Sequence, residues 1–497
     1  VSMAINIESL EPRGVWGFFA GMTAVPRPSK HEERIRAHVR QVAEKLGFKS
    51  REDVVGNIVI DVSASPGCEK AAVTVLQGHL DMVCEKNSDT AFDFDRDPIR
   101  TVIDKDARSG EPIVRADGTT LGADNGIGVS LALAAATDPN VRHGPLEILC
   151  TIDEEAGMTG AKALQPGFLK GRRLINLDSE EDDAIYIGCA GGIDASVIFD
   201  LKTGAAPAGG ELLRVSVGGL RGGHSGCDIH LNRGNAIKLL AQTLTTAGVE
   251  KLQLAKITGG SKRNAIPREA SALLAAPAGS TAALKKAAEA AQKEIIAVFG
   301  EEGGRVTVEP ASAADAAGAL SIDDTRRVLT ALAALPSGVL AVVPEIPGLI
   351  QTSTAVTVVE WSGSAGGMRI VIGCLSRGSH VAQLQGVVRQ IEAVARLAGA
   401  QAETGNSYPG WQPNVNSPTL AVCRRVYERL FNEKPRVTAI HAGLECGIID
   451  EQIRGMDMVS FGPHIEGPHS PDERVYINSV AKTYRMLSSV LDELSRA

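Results

Sequence analysis

The chain has 497 residues, of which 44% are hydrophobic and 22% charged, and a formal net charge of −8. That length exceeds one compact core, so two or three domains are expected, and the balance is that of an ordinary globular protein rather than a disordered or fibrous one. An acidic balance without a long basic run argues against a nucleic-acid partner, and no stretch approaches the roughly 18 uninterrupted apolar residues of a membrane span.

From the N-terminus, residues 1–19 carry acids early and lack a basic stretch followed by a long apolar run, so no signal peptide is expected. Segment 31–47 has helical spacing and ends in glycine. AAVTVLQGHL (71–80) reads as a buried strand and NGIGVSLALAAATD (125–138) as an apolar helix. LEILCTIDEE (146–155) and RRLINLDSE (172–180) are strand-like runs ending in acids. This succession predicts a parallel or mixed sheet with helices on both faces. Ligands of such sheets gather beyond the carboxyl ends of the strands. His79, Glu154, Glu155 and Asp178 fall there.

The character then changes. LKTGAAPAGGEL (201–212) reads as a connection, followed by a strand and the glycine-rich turn around His224. An Ala-rich helix over 281–299 and Val/Ile-rich runs at 349–361 and 366–379 predict a separate α+β domain. The expected organisation is a catalytic domain in two segments, 1–192 and 406–497, with an inserted α+β domain over 193–405. No internal repeat of fixed period stands out. The eight cysteines form no C-x-x-C pair and no disulfide framework, which predicts that most are buried reduced thiols and that the address is cytoplasmic.

Without paired cysteines, a metal here would rest on imidazole and carboxylate ligands. Two ions ~3.5–4 Å apart can share a carboxylate and polarise one water. GHLDM offers His79 and Asp81, LGADNGIG offers Asp124, and DEEAG offers Glu154 and Glu155. NLDSE adds Asp178 and GPHSPDE adds His469. Residues two apart on a strand point the same way, so His79 can hold a metal while Asp81 accepts its other ring N–H. Of the neighbours Glu154 and Glu155, one can ligate while the other faces a bound water. Each piece alone also fits an ordinary role: a surface turn for H-x-D, a solvated helix start for D-E-E, turn chemistry for Asp124, a helix cap for Asp178. FDFDRDPI (92–99) lacks the spacing of a calcium loop and reads as a solvated strand edge. No G-x-G-x-x-G opens a helix after the first strand, which argues against a dinucleotide-binding oxidoreductase.

Taken in order, GHLDMV, LGADNGIG, DEEAGMTGA, INLDSEE, GGHSG, RNAIPREA, HAGLECG and GPHSPDE resemble the aminoacyl-histidine dipeptidases of the co-catalytic zinc peptidase clan, from about residue 14 onward. The resemblance implies an α/β fold: a mixed-sheet dizinc peptidase catalytic domain with the inserted α+β domain as lid and dimerisation element. It implies two Zn2+ per chain, with Mn2+ or Co2+ as alternatives. His79 and Asp178 would hold one ion, Glu155 and His469 the other, and Asp124 would bridge them. Asp81 would orient His79, and Glu154 would be the general base. His464, five residues before His469, is a rival ligand. The resemblance further implies a homodimer in which His224 serves the oxyanion across the interface. Asn264 would contact the substrate backbone, Arg377 its C-terminal carboxylate, and Glu445 with His441 its free α-amino group. A turn Asn and an exposed structural Arg remain ordinary readings of Asn264 and Arg377. The expected reaction is hydrolysis of dipeptides with a free N-terminus, X-His dipeptides among them. The alternative is an N-acyl-amino-acid deacylase on the same scaffold, differing chiefly around Glu445.

Overall fold

The computed structural model describes residues 6–205, 209–312, 318–344, 346, 348–364 and 367–496. Contacts divide the chain into two compact units. The first takes the chain up to Gly188, then Trp411–Ala439, and everything from Leu444 on; the second takes Cys189–Gly410 and Ile440–Gly443. The short return at 440–443 has a local cause. The Ala190 N–H donates to the carbonyls of Ile440 and Ala442 at 3.0 and 3.1 Å, and His441 Nε2 lies 2.7 Å from Ser353 Oγ.

In the first unit, four parallel strands lie in the order Leu146–Thr151, Thr74–His79, Arg173–Asn176, Asp457–Ser460. Lys49–Glu52 and Ile58–Val62 extend one side, and Ala184–Cys189 and Arg436–Ile440 the other. Thr74–His79 and Leu146–Thr151 are buried along their whole length, as strands covered on both faces are. The helix Ala123–Thr137 packs on Thr74–His79 and is buried nearly all round, because its sequence is small or apolar on every side. By contrast, Glu33–Lys45 buries only Ile35, Val39 and Ala43, one stripe at helical spacing. Register places His79 opposite Thr151 and Gln77 opposite Asn176. The three central strands therefore end at one level, and the loops leaving them converge. The acidic segment 92–99 is a turn rather than a strand edge: Asp93 caps it by accepting from the Asp95 N–H at 3.0 Å.

The second unit is a nine-stranded sheet. Its order is Arg305–Pro310, Glu211–Gly218, Ala270–Ala276, Gln253–Gly259, Ile350–Ser364, Gly367–Gly378, Gly191–Leu201, Gln401–Tyr408, with Gly338–Val342 paired beside Ile350–Ser364. Alternate strand residues, among them Val215, Val217, Leu274, Ile370 and Ile372, form one core with the helices Ala236–Thr246, Thr281–Phe299, Ile322–Ala334 and Val381–Leu397. Leaving the short strands aside, the chain runs strand–helix–strand–strand–helix–strand twice. The run from Glu211 to Pro310 is inserted after the first strand of the other run, Gly191–Leu201. With one run nested inside the other, this repeated order of elements has no fixed period along the chain. The connection over 201–212 contains the short strand Thr203–Gly204, and residues 206–208 of it lie outside the described residues. Among the described residues no helix is long and apolar enough to cross a membrane.

Candidate active site

His79 ends its strand with both ring nitrogens committed. Nδ1 lies 3.4 Å from Asp81 Oδ1, while Nε2 lies 3.0 Å from Asp124 Oδ1 and 3.3 Å from Asp178 Oδ1. Asp124 reaches His79 with one oxygen and His469 Nε2 with the other, at 3.3 Å, and His469 Nε2 also lies 3.0 Å from Glu155 Oε2. Asp124 thus stands between two imidazole–carboxylate groups, His79 with Asp178 and His469 with Glu155. Ligand atoms of His79, Asp124 and Glu155 all fall within 4.8 Å of one another. His464 is engaged elsewhere, with Nε2 3.3 Å from Glu466 Oε1 and its ring against Tyr476.

This cluster holds more negative charge than its own imidazoles balance. Burial, opposed by His79 and reinforced by the charges of Asp178, Glu445 and Glu155, pushes the Glu154 carboxyl well above its ordinary range. Burial also raises Asp178 to about 7, and the hydrogen bonds His469 donates to Asp124 and Glu155 raise it to about 11. Glu155 Oε1 is buried without a hydrogen-bond partner, and buried Asp178 Oδ1 faces only the His79 ring. Buried unpartnered carboxylate oxygens are costly unless cations face them, and an all-N/O donor set suits zinc or a similar divalent ion. His79, Asp124, Glu155, Asp178 and His469 therefore fit a two-ion site.

Surrounding residues hold this geometry. The Asp81 carboxylate accepts from Ser29 Oγ at 2.7 Å and from the N–H groups of Glu154 and Glu155 at 3.0 and 3.1 Å. Burial works against its charge, but the hydrogen bonds from His79, Ser29 and the Glu154 amide keep it at about 2. Asp81 thus supports the His79 ring and the loop carrying both glutamates. Glu473, buried, accepts from the N–H groups of Leu121, Gly122 and Asp124 at 2.7, 2.9 and 3.2 Å and so fixes the turn that presents Asp124. Arg27, also buried, donates to the carbonyls of Leu80 and Asp81 at 2.9 and 3.0 Å and to that of Gly122. Sequence reasoning missed both. Glu473 ends the GPHSPDE motif already singled out, whereas Arg27 carries no local signal.

Glu445 opens the helix Glu445–Gln452 fully buried, with Oε2 accepting from Gln77 Nε2 at 2.7 Å and Thr151 Oγ1 at 2.6 Å. Its Oε1 has no partner, and burial against the pull of His79 raises it to about 8.

The remaining predicted residues lie in the second unit. Val339, Ser353, Arg377 and Gly192 are cross-strand partners in one row, so Arg377 and Ser353 share a face of the sheet. Arg377 is 4% exposed; its Nη1 donates to Tyr408 Oη at 2.6 Å and its Nε has no partner. This is a buried, oriented guanidinium rather than the exposed structural one that the sequence also allowed. His224 Nδ1 accepts from the N–H groups of Gly226 and Cys227 at 3.3 and 2.9 Å, which puts the proton of the neutral ring on Nε2. That Nε2 lies 3.3 Å from Arg377 Nη2. Two donors facing each other mark a position for an acceptor. Burial, then the Arg377 charge, lowers His224 to about 4 and His441 to about 3. Asn264 is joined to the His224 turn through its carbonyl, which accepts from the Ser225 N–H at 2.8 Å.

Comparison with known proteins gives a match of residues 75–493 to the profile described as Peptidase family M20/M25/M40. A curated relative, the cytosol non-specific dipeptidase of Escherichia coli (strain K12), is 43% identical over 490 residues, covering 98% of this chain and 99% of its own. The crystal structure of aminoacylhistidine dipeptidase from Vibrio alginolyticus superposes with a TM-score of 0.88 at 42% identity, over 98% of each chain. A tripeptidase from Staphylococcus aureus, at 14% identity and a TM-score of 0.56 over 98% of this chain and 100% of that one, shares the fold.

Proposed function

The chain belongs to peptidase family M20/M25/M40 and is a metallopeptidase, and from this membership and the geometry of its site we propose that it hydrolyses dipeptides with a free N-terminus, X-His dipeptides among them. The observation that carries the proposal is Asp124 set between two imidazole–carboxylate groups, beside the buried Glu155 Oε1, which has no partner. The proposed cofactor is two Zn2+ per chain, with Mn2+ or Co2+ able to substitute. His79 and Asp178 would hold one ion and Glu155 and His469 the other, with Asp124 available to both. Bound there, the ions supply Lewis acidity toward a water and the scissile carbonyl.

The chain's own residues do the rest. Glu154 takes the proton from the attacking water and returns it to the leaving amine. His224 donates its Nε2–H to the carbonyl oxygen as negative charge develops. Arg377 pairs with the C-terminal carboxylate, a charge-assisted contact that its fixed guanidinium favours. Glu445 Oε1 takes the substrate ammonium, His441 lines that end, and Asn264 contacts the peptide backbone. A cytoplasmic homodimer is the proposed form, on the name of the Escherichia coli relative and the family resemblance. The deacylase alternative lacks an acceptor's task for Glu445. Initial rates on Ala-His, β-alanyl-histidine and other dipeptides, each beside its N-acetyl form, test the proposal. The free peptides are expected to be the substrates; preferential cleavage of the acetylated set would hand the site to the deacylase.

A further inference from the structure

A cavity of about 950 Å³ opens within the second unit. Its floor is a row of hydroxyls: Thr307, Ser216, Ser271 and Thr258 are cross-strand partners on four adjacent strands. Side chains alternate along a strand, so these four face away from Val215, Val217, Ala272 and Leu274, which belong to the helix-covered core. Ser216 Oγ donates to Ser271 Oγ at 3.1 Å, which gives the row a direction.

Around this floor stand Lys262, Arg268 and Arg305. Among the described residues none of the three forms an ion pair, whereas Arg233 and Arg263 nearby pair with Asp228 and Asp194. Arg268 is held in place: its Nε donates to the Leu220 carbonyl at 3.1 Å, and its stem lies where a Cβ on Gly222 would collide with it. Glu269 is the single lining carboxylate among the described residues. Three cations against one anion, over a row of donors, select an acceptor-rich anion.

The cavity walls also lead to the proposed substrate group. Gly218 and Gly219 run on to His224, and Gly260 to Lys262 run on to Asn264. These segments are joined, since Gly223–His224 pairs with Ala265–Ile266.

We propose that this cavity binds a multiply charged oxyanion, a phosphate ester or a polycarboxylate, and that its occupancy sets the loops carrying His224 and Asn264. The binding stands on the cavity alone; the coupling rests on the roles proposed above for those two residues. Calorimetric titration of the metal-replete full chain with inorganic phosphate and, separately, citrate tests it, with bound metal measured afterwards so that chelation is not read as binding. The double variant Arg268→Gln/Arg305→Gln is expected to lose about tenfold or more in affinity while cleaving dipeptides normally without added anion. Arg268→Lys/Arg305→Lys should retain most of the affinity, and Arg377→Gln should bind as the natural chain does. The anion should also shift the dipeptide KM of the natural chain and leave that of the double Gln variant unmoved. Phosphate alone binding assigns the site to phosphorylated ligands, citrate alone to polycarboxylates. Binding of neither, or affinity unchanged in the double Gln variant, overturns the site. Binding without any shift in KM overturns the coupling. Anion binding by a chain that cleaves no dipeptide would count against the proposed function only.

Discussion

Glu473 shows how one side chain can govern a site without touching substrate. Its carboxylate satisfies the N–H groups of Leu121, Gly122 and Asp124 inside the protein. Removing it leaves buried donors unpaired, at a cost of about 1–3 kcal/mol for each group that water does not reach. Glu473→Ala is therefore expected to lower unfolding stability by on the order of 3 kcal/mol. Because the same turn aims Asp124, metal affinity should fall about 10–100-fold, the usual effect of losing a residue that orients a ligand. Glu473→Gln, which keeps one acceptor oxygen, should recover part of both losses. Denaturant unfolding and competition with a chromogenic chelator measure the two effects. Unchanged metal affinity in Glu473→Ala would mean that Asp124 is positioned by its helix alone. At this scale the legible residues were those whose types are rare in the positions they occupy, such as an H-x-D at a strand end. Arg27 was illegible because its partners are backbone carbonyls distant in sequence, which leave no pattern of residue types.

Among the elements, the four-residue excursion Ile440–Gly443 is where pH should act on stability. His441 is 7% exposed and bonded to Ser353 Oγ, and burial with the Arg377 and His224 charges lowers it from 6.5 to about 3. An unfolded chain takes up a proton at this imidazole near pH 6.5; the folded chain does so only near about 3. Between those values the unfolded state binds more protons, so the group costs nothing above about pH 6.5 and destabilises progressively as pH falls. The slope it adds is at most ~1.4 kcal/mol per pH unit. His441→Asn is expected to flatten the fall in unfolding free energy between about pH 7 and about pH 5 relative to the natural chain, whatever its own stability at neutral pH. Identical slopes in the two proteins would show that His441 is protonated in the fold. Strands and helices appear within or close to the predicted segments 31–47, 71–80, 125–138, 146–155 and 281–299, the strand of the fourth stopping at Thr151, because each carries a sustained apolar pattern or run that packing then uses. The return of Ile440–Gly443 to the second unit was hidden, since it depends on two carbonyls and one imidazole rather than on any periodicity. So was the packing of helix on strand through Gly78 and Gly128, where added Cβ atoms would meet the Asn125 side chain and the Leu177 carbonyl.

For the whole molecule, contacts divide the first unit into three segments, up to Gly188, Trp411–Ala439 and from Leu444 on, where the sequence leads to an expectation of two, 1–192 and 406–497, and the nested repeat of strand–helix order within the second unit emerges only from strand pairing. His224 belongs to the inner copy and Arg377 to the outer one, yet they lie 3.3 Å apart in one chain. In the proposed homodimer His224 serves the opposite active site. Mixing His224→Ala with Glu154→Ala under conditions of subunit exchange should therefore restore part of the activity, and exchange without recovery would confine the histidine to its own chain. In the proposed two-ion site Glu155 holds metal and its neighbour Glu154 moves the proton. General bases contribute about 10²–10⁴-fold to rate, so their loss should separate cleanly from loss of a ligand. The most direct measurement is metal content by elemental analysis, paired with turnover of one dipeptide, on the metal-replete natural chain, Glu154→Ala and Glu155→Ala. Two equivalents are expected in the natural chain, two with turnover lost by at least about 10²-fold in Glu154→Ala, and fewer than two in Glu155→Ala. A single equivalent with full activity in the natural chain, or the two variant phenotypes exchanged, would contradict it.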